Sequence, residues 1–220
     1  MKRCLVAVVP FLVACQQVAE KTPEEIRAQA RAHYEAEGCR LELLTKNVQK
    51  AYTYEAFIAH PEYRTTRDIW RGDALKQYKP SRSRVEILLL EQRGRLYIND
   101  SIAMDFPICS GRVGGHETPK GTFRISQKIR DYRSNRYGSF VTRESSRIVQ
   151  RDVSSSDARP KGTVFKGAPM PYWMRFNGAI GMHVGDVYRQ GASHGCVRVP
   201  EEACSTLFEK LEVGSKVIVK

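Results

Sequence analysis

Val85-Glu86-Ile87-Leu88-Leu89-Leu90-Glu91-Gln92-Arg93-Gly94-Arg95-Leu96-Tyr97-Ile98-Asn99 reads as two β-type segments about a polar, glycine-bearing joint. Val85 to Leu90 is an apolar run of strand length, Arg93-Gly94-Arg95 supplies turn residues, and Leu96 to Asn99 forms the returning strand of a hairpin. Toward the C-terminus, Ile102 to Ser110, Thr122 to Gln127, Ala179 to Val184 and Ser215 to Val219 are further strand candidates between Gly- and Pro-bearing turns. One helix interrupts them: after Pro200, residues Glu201 to Leu211 put Ala203, Leu207 and Leu211 on one face. Strands and helices do not alternate as βαβ units. A doubly wound sheet is therefore disfavoured, and a mainly β, antiparallel sandwich or barrel with one short helix is expected.

Toward the N-terminus the character changes at Lys79-Pro80-Ser81, a basic, turn-rich joint. Residues 53 to 78 read as short helices interrupted by Pro61. Leu41, Leu44, Val48 and Tyr52 mark one helical face. Thr22-Pro23-Glu24-Glu25 has the form of a capping box, opening a helix that Gly38 would end. This helical stretch has no second copy downstream, so a repeat array is not indicated. Ahead of it, Met1-Lys2-Arg3 is a basic leader and Leu5 to Ala14 an apolar stretch too short to span a bilayer, the pattern of an export signal. Leu12-Val13-Ala14-Cys15 resembles the lipobox of bacterial lipoproteins, in which the chain is cut before the cysteine and the thiol receives a diacylglycerol. The expected organisation is a signal peptide over 1–14, a tether and helical spacer over 15–80 beginning at a lipidated Cys15, and the β body over 81–220.

The 220 residues allow one full domain plus an accessory segment. With 41% apolar and 27% charged residues, 16 Gly and 10 Pro, the chain is neither collagen-like, nor disordered, nor a multi-span membrane protein. A formal charge of +12 implies affinity for a polyanionic surface. Nucleic acid would be the first suspicion, but an exported protein meets cell-wall carboxylates and anionic lipids instead, so no nucleic-acid partner is expected. Residues 124 to 166 hold 11 Lys and Arg against 4 Asp and Glu in a Ser-rich stretch that reads as strand-poor, a flap or long loop suited to attracting carboxylates. Composition alone equally fits a solvated basic loop.

Of six cysteines, Cys4 leaves with the signal and Cys15 is taken by lipid. Cys39, Cys109, Cys196 and Cys204 remain, and an oxidising compartment favours pairing them. If one stays free as a nucleophile, at most one bridge forms, with Cys39 to Cys109 or to Cys204 both conceivable.

The chemistry concentrates in Gly181-Met182-His183-Val184 and Ser193-His194-Gly195-Cys196-Val197-Arg198-Val199-Pro200. In an alternating strand Ile180, Met182 and Val184 share one face, so His183 points away from the apolar set. A free thiol, with a pKa of about 8.5, is mostly protonated at neutral pH, so a cysteine nucleophile needs a nearby imidazole. His183 could supply it. The amides around Gly195 and Cys196 could stabilise an oxyanion. Gly191-Ala192-Ser193-His194-Gly195 also matches the serine-hydrolase elbow, but no histidine follows His194 and the strand-turn-helix context is missing. A zinc site from His183, His194 and Cys196 lacks paired ligand spacing. A merely buried cysteine leaves the polar company unexplained.

These residues resemble the L,D-transpeptidase (YkuD) catalytic domain, in which a histidine is followed by S/T-H-G-C. Phe106-Pro107-Ile108-Cys109-Ser110-Gly111, Glu117-Thr118-Pro119-Lys120-Gly121-Thr122-Phe123-Arg124-Ile125 and Met170-Pro171-Tyr172-Trp173-Met174-Arg175-Phe176 extend the likeness. It covers about residues 84 to 220. Two departures are a short connection from the histidine to the S-H-G-C run and Val184 in place of a frequent glycine, which affect the rim of the site. The resemblance implies a YkuD-like fold over 81–220, with Cys196 as acylated nucleophile, His183 as base and the Val184 carbonyl orienting the imidazole. Ser193, His194, Gly195 and Arg198 would shape the acyl-binding site. Arg198 would grip a substrate carboxylate bidentately, or else pair with Glu201 or Glu202. Trp173 and Tyr172 would flank the groove or pack in the core. The implied donor is a peptidoglycan tetrapeptide stem, cleaved between meso-diaminopimelate and terminal D-alanine. The acceptor is an amine of a second stem, a protein or a D-amino acid, or else water, which would make the enzyme a carboxypeptidase or endopeptidase. No metal or organic cofactor is implied. A non-catalytic lipoprotein that grips peptidoglycan through its basic stretch is the reading from another class. The expected location is the cell envelope, lipid-anchored and facing the periplasm.

Overall fold

The computed structural model describes residues 53–77, 80–188 and 190–220. The helices expected between Thr22 and Tyr52, Cys39, and the lipobox at Cys15 lie outside them. Residues Thr53–Lys220 form one compact unit, so the segment ahead of Pro80 is built into the same body as the strands.

Two sheets and two short α-helices make that body. The first sheet contains β1 (Trp70–Arg71), β2 (Ser83–Leu88), β3 (Arg93–Ile98), β4 (Ser101–Pro107), β5 (Gly121–Arg124) and β11 (Lys216–Val219), in the order β1-β4-β3-β2-β11-β5. The second contains β6 (Gln127–Thr142), β7 (Ile148–Ser154), β8 (Thr163–Asn177), β9 (Ile180–Val184) and β10 (Val197–Val199), in the order β10-β9-β8-β6-β7. A short helix α1 (Tyr54–Ala59) precedes the strands, and α2 (Glu201–Lys210) follows β10. The mainly β architecture with one helix after the Cys196 segment is as expected. It is not wholly antiparallel: β2 pairs β11, and β9 pairs β10, in parallel.

Val85, Ile87, Leu96, Ile98, Met104 and Phe106 of the first sheet meet Met174, Met182 and Val197 of the second, with Ala203, Cys204 and Leu207 of α2 filling the same core. Alternation supplies this apolar face on each strand. The hairpin turn falls at residues 89–92, not at Arg93-Gly94-Arg95, which already lies in β3 opposite Leu88-Ile87-Glu86. Gln92 takes the positive φ of 50° that the turn requires. Gly94 is glycine for packing, since a Cβ there would stand 2.4 Å from the Phe106 ring.

The basic stretch 124–166 also differs from its reading as strand-poor. It holds β5's last residue, β6, β7 and the start of β8, an extended ribbon with β7 at the sheet edge. β7 is exposed over residues 148–152 and β6 mixes half-buried with exposed residues, so no clean apolar alternation announces the strands.

Candidate active site

The site is built on the parallel pair β9–β10. Met182 stands opposite Val197 and His183 opposite Arg198. Because Met182 and Val197 are fully buried in the core, the alternate residues Gly181, His183, Cys196 and Arg198 share the other face of the pair.

The Cys196 Sγ lies 3.9 Å from the Ala179 carbonyl, to which its S–H donates. Glycine is required at 181: a Cβ there would stand 2.6 Å from the Met174 carbonyl oxygen and 2.7 Å from the Trp173 ring. Burial raises the Cys196 thiol above its ordinary range, outweighing the Gly181 amide and the Arg198 charge, which both favour thiolate.

His183 is only 8% exposed, and its Nδ1 lies 2.8 Å from the Val184 carbonyl oxygen. A carbonyl only accepts, so Nδ1 carries the proton and Nε2 keeps its lone pair. Burial pushes the imidazole down to about 4; Arg198 acts in the same direction, against the Val184 hydrogen bond. At neutral pH the pair is therefore a neutral imidazole and a protonated thiol.

The connection from β9 to β10 is held from below by the segment after β4. Ala192 and Ser193 both donate to the Ser110 carbonyl at 3.0 Å, Arg112 donates to the Ser193 carbonyl at 3.0 Å, and Cys109 and Arg198 exchange two backbone hydrogen bonds of 3.0 and 2.9 Å. Ser193, 2% exposed, folds the turn: its Oγ donates to the Cys196 carbonyl and accepts from the Gly195 N–H at 3.1 Å. Gly195 sits at φ 114°, a conformation that glycine adopts freely. Its N–H is thus engaged and is not the oxyanion donor expected from sequence. The Cys196 N–H has no acceptor among the described residues and remains available.

His194 stacks on Tyr137 of β6, with ring centroids 4.2 Å apart, and meets His116 edge-on at 5.0 Å. Burial lowers its pKa, and the charges of Arg112, His116 and Arg198 lower it further. Arg198 is half-buried and has no carboxylate partner among the described residues; the Glu202 suggested by proximity pairs with Arg71 at 2.7 Å. Trp173, 1% exposed, borders the imidazole at 6.1 Å between centroids and stacks on Tyr132 at 5.0 Å. Tyr172 goes elsewhere. It has the parity of core Met174, and its ring packs on Phe208 of α2 at 5.5 Å, so it is not gathered with Trp173.

Several supporting residues carry no mark in the sequence beyond their place in a motif. Thr118, 3% exposed, donates from Oγ1 to the Gly195 carbonyl at 2.8 Å and accepts from the Gly111 N–H at 2.9 Å. Gln92 brackets Ser110, accepting from its N–H at 3.0 Å and donating to its Oγ at 2.8 Å. Among the described residues the three cysteines are free thiols, and burial pushes Cys204 up to about 12. No group of three His, Cys, Asp or Glu among the described residues could hold a metal ion.

A neutral imidazole and a thiol on one face, with the S-H-G-C turn fixed beneath them, is an arrangement for cysteine acyl transfer. The L,D-transpeptidase catalytic domain, YkuD, matches residues 82–219. The chain belongs to that family. Solved structures similar to this YkuD chain include L,D-transpeptidases from Stackebrandtia nassauensis (20% identity, 66% of this chain and 58% of that one, TM-score 0.46) and Mycobacterium smegmatis (16%, 63% and 58%, 0.49). A third is from Enterococcus faecium (22%, 63% and 49%, 0.45). The YkuD chain thus spans roughly half to three fifths of the length of these proteins. No curated protein matches it.

Proposed function

We propose that this YkuD protein is a peptidoglycan L,D-transpeptidase that transfers an acyl group from a tetrapeptide stem through a Cys196 thioester to an amine. The observation that carries the reading is the shared face of Gly181, His183, Cys196 and Arg198 on β9–β10, with His183 fixed in the tautomer that leaves Nε2 free.

The Cys196 sulfur attacks the carbonyl of the L-centre of meso-diaminopimelate as its proton passes to His183 Nε2. The Cys196 N–H faces the developing oxyanion. Collapse breaks the amide bond, and the leaving D-alanine nitrogen takes the proton from the imidazolium. An acceptor amine then attacks the thioester, gives a proton to Nε2, and restores the thiol. Arg198, unpaired among the described residues, would bind a stem carboxylate. The amine can come from a second stem, a protein lysine or a free D-amino acid. Cys15, at the end of an export-like leader, would receive a lipid and hold the enzyme in the envelope facing the periplasm.

The test is mass spectrometry of tetrapeptide muropeptides after incubation with the full-length chain, with Cys196→Ala as control. A cross-linked dimer lacking one D-alanine is expected. Tripeptide alone would replace the amine acceptor by water, and unchanged muropeptides would sink the enzymatic reading.

A further inference from the structure

On the side of the β9–β10 connection served by Gln92, a cleft of about 280 Å³ is lined by Arg64, Thr66, Arg67, Gln92, Val187 and Tyr188, among others. Its walls come from different parts of the chain. Arg64 and Arg67 lie in the turn that follows α1, and both side chains reach solvent. Neither has a carboxylate partner among the described residues, so two guanidinium groups border one concavity with no internal anion. Such planar donors match a carboxylate.

The cleft is pre-organised. The fully buried Arg93 donates to the Thr66 and Asp68 carbonyls, each at 3.1 Å, which fixes the turn that carries both arginines. Gln92 has its amide committed on both ends, to Ser110 and to the Leu89 carbonyl at 2.7 Å. The rest of the lining is more apolar, with Pro107, Val187 and Tyr188. Val187 and the half-exposed Tyr188 belong to the connection that ends at Cys196.

We propose that this cleft binds the terminal carboxylate of a peptide, with Arg64 and Arg67 on the carboxylate and Val187 and Tyr188 against the adjoining side chain. That the peptide is a wall stem rests on the transpeptidase reading; the carboxylate-binding cleft does not. The cleft is lined by none of the residues that face the thiol. It is a separate subsite carried on the same connection as the nucleophile.

Calorimetric titration of the full-length Cys196→Ala chain with N-acetyl-D-alanine tests the cleft without turnover. Saturable binding is expected. The methyl ester should bind much more weakly, and Arg64→Gln with Arg67→Gln should weaken binding by about tenfold or more, the loss of a charge-assisted hydrogen bond. Tyr188→Ala should weaken it independently. Binding that survives the arginine pair but is lost with Arg198→Gln would place the ligand at the thiol and overturn the proposal. Inorganic phosphate binding as tightly as N-acetyl-D-alanine would overturn the peptide assignment, and absence of saturable binding would overturn the site. Muropeptide turnover in the unsubstituted chain is a separate readout, so failure of the transpeptidase reading is told apart from failure of the cleft.

Discussion

A neutral imidazole beside a protonated thiol sets the pH dependence of any acyl transfer through Cys196. As pH falls through the folded-state pKa of His183, Nε2 takes a proton from solvent and can no longer accept one from the thiol. Because burial depresses that pKa to about 4 from the ordinary 6.5, the acid limb of kcat/KM should lie near 4. The raised thiol keeps the alkaline side from falling at neutral pH, since no thiolate has to be present beforehand. A pH profile of D-alanine release checks this, and an acid limb near 6.5 would mean that the imidazole is solvated. His183→Gln should cost about 10² to 10⁴ in rate. At this scale the candidate thiol and imidazole stand out in the sequence, because a thiol, an imidazole and a glycine turn are chemically conspicuous. Thr118 and Gln92 were not legible in these roles, since they act through hydrogen bonds to backbone groups and to the Ser110 hydroxyl and have no spacing rule.

Among the elements, the segment around α1 is joined to the sheet by charge rather than by an apolar stripe. Asp105 of β4 is fully buried and receives the Arg93 Nε at 2.8 Å, the Arg95 Nε at 3.0 Å, and the hydroxyls of Tyr54 and Tyr63, each at 2.8 Å. Burial and the Asp105 charge push the Tyr63 hydroxyl up to about 12, so it remains a donor across the physiological range. Removing one partner leaves the others buried and unpaired. Asp105→Asn should therefore destabilise by about 3–5 kcal/mol and Tyr63→Phe by about 1.5–3 kcal/mol. Urea unfolding checks both, and an unchanged midpoint for Tyr63→Phe would show that the Tyr63 hydroxyl contributes nothing to the joint. Hydrophobic periodicity recovered β2, β3, β4, β9 and α2, whose apolar faces meet the core. It did not recover β6 and β7, whose exposed faces lack alternation, or the polar joint at Asp105, which no apolar pattern signals.

For the whole molecule, the net charge and the lipid anchor proposed at Cys15 make separable predictions. The chain carries +12, with 11 Lys and Arg against 4 Asp and Glu between residues 124 and 166. The fold draws that stretch out as a ribbon in which Arg143, Arg147 and Arg151 are exposed. Exposed charges act on a polyanion over a Debye length of about 10 Å at 0.1 M salt and about 3 Å at 1 M, so if the ribbon is the contact with an anionic wall polymer, that binding should weaken as salt rises. A lipid on Cys15 would respond differently, because its membrane affinity comes from buried methylene groups. Cys15→Ala should thus move the protein from the membrane to the soluble fraction at any salt, while leaving a salt-sensitive co-sedimentation with isolated sacculi. Arg143→Gln, Arg147→Gln and Arg151→Gln together should flatten that salt dependence without affecting membrane fractionation of the lipidated chain. Unchanged fractionation of Cys15→Ala would remove the anchor, and sacculus binding indifferent to salt would remove the ribbon as the electrostatic contact.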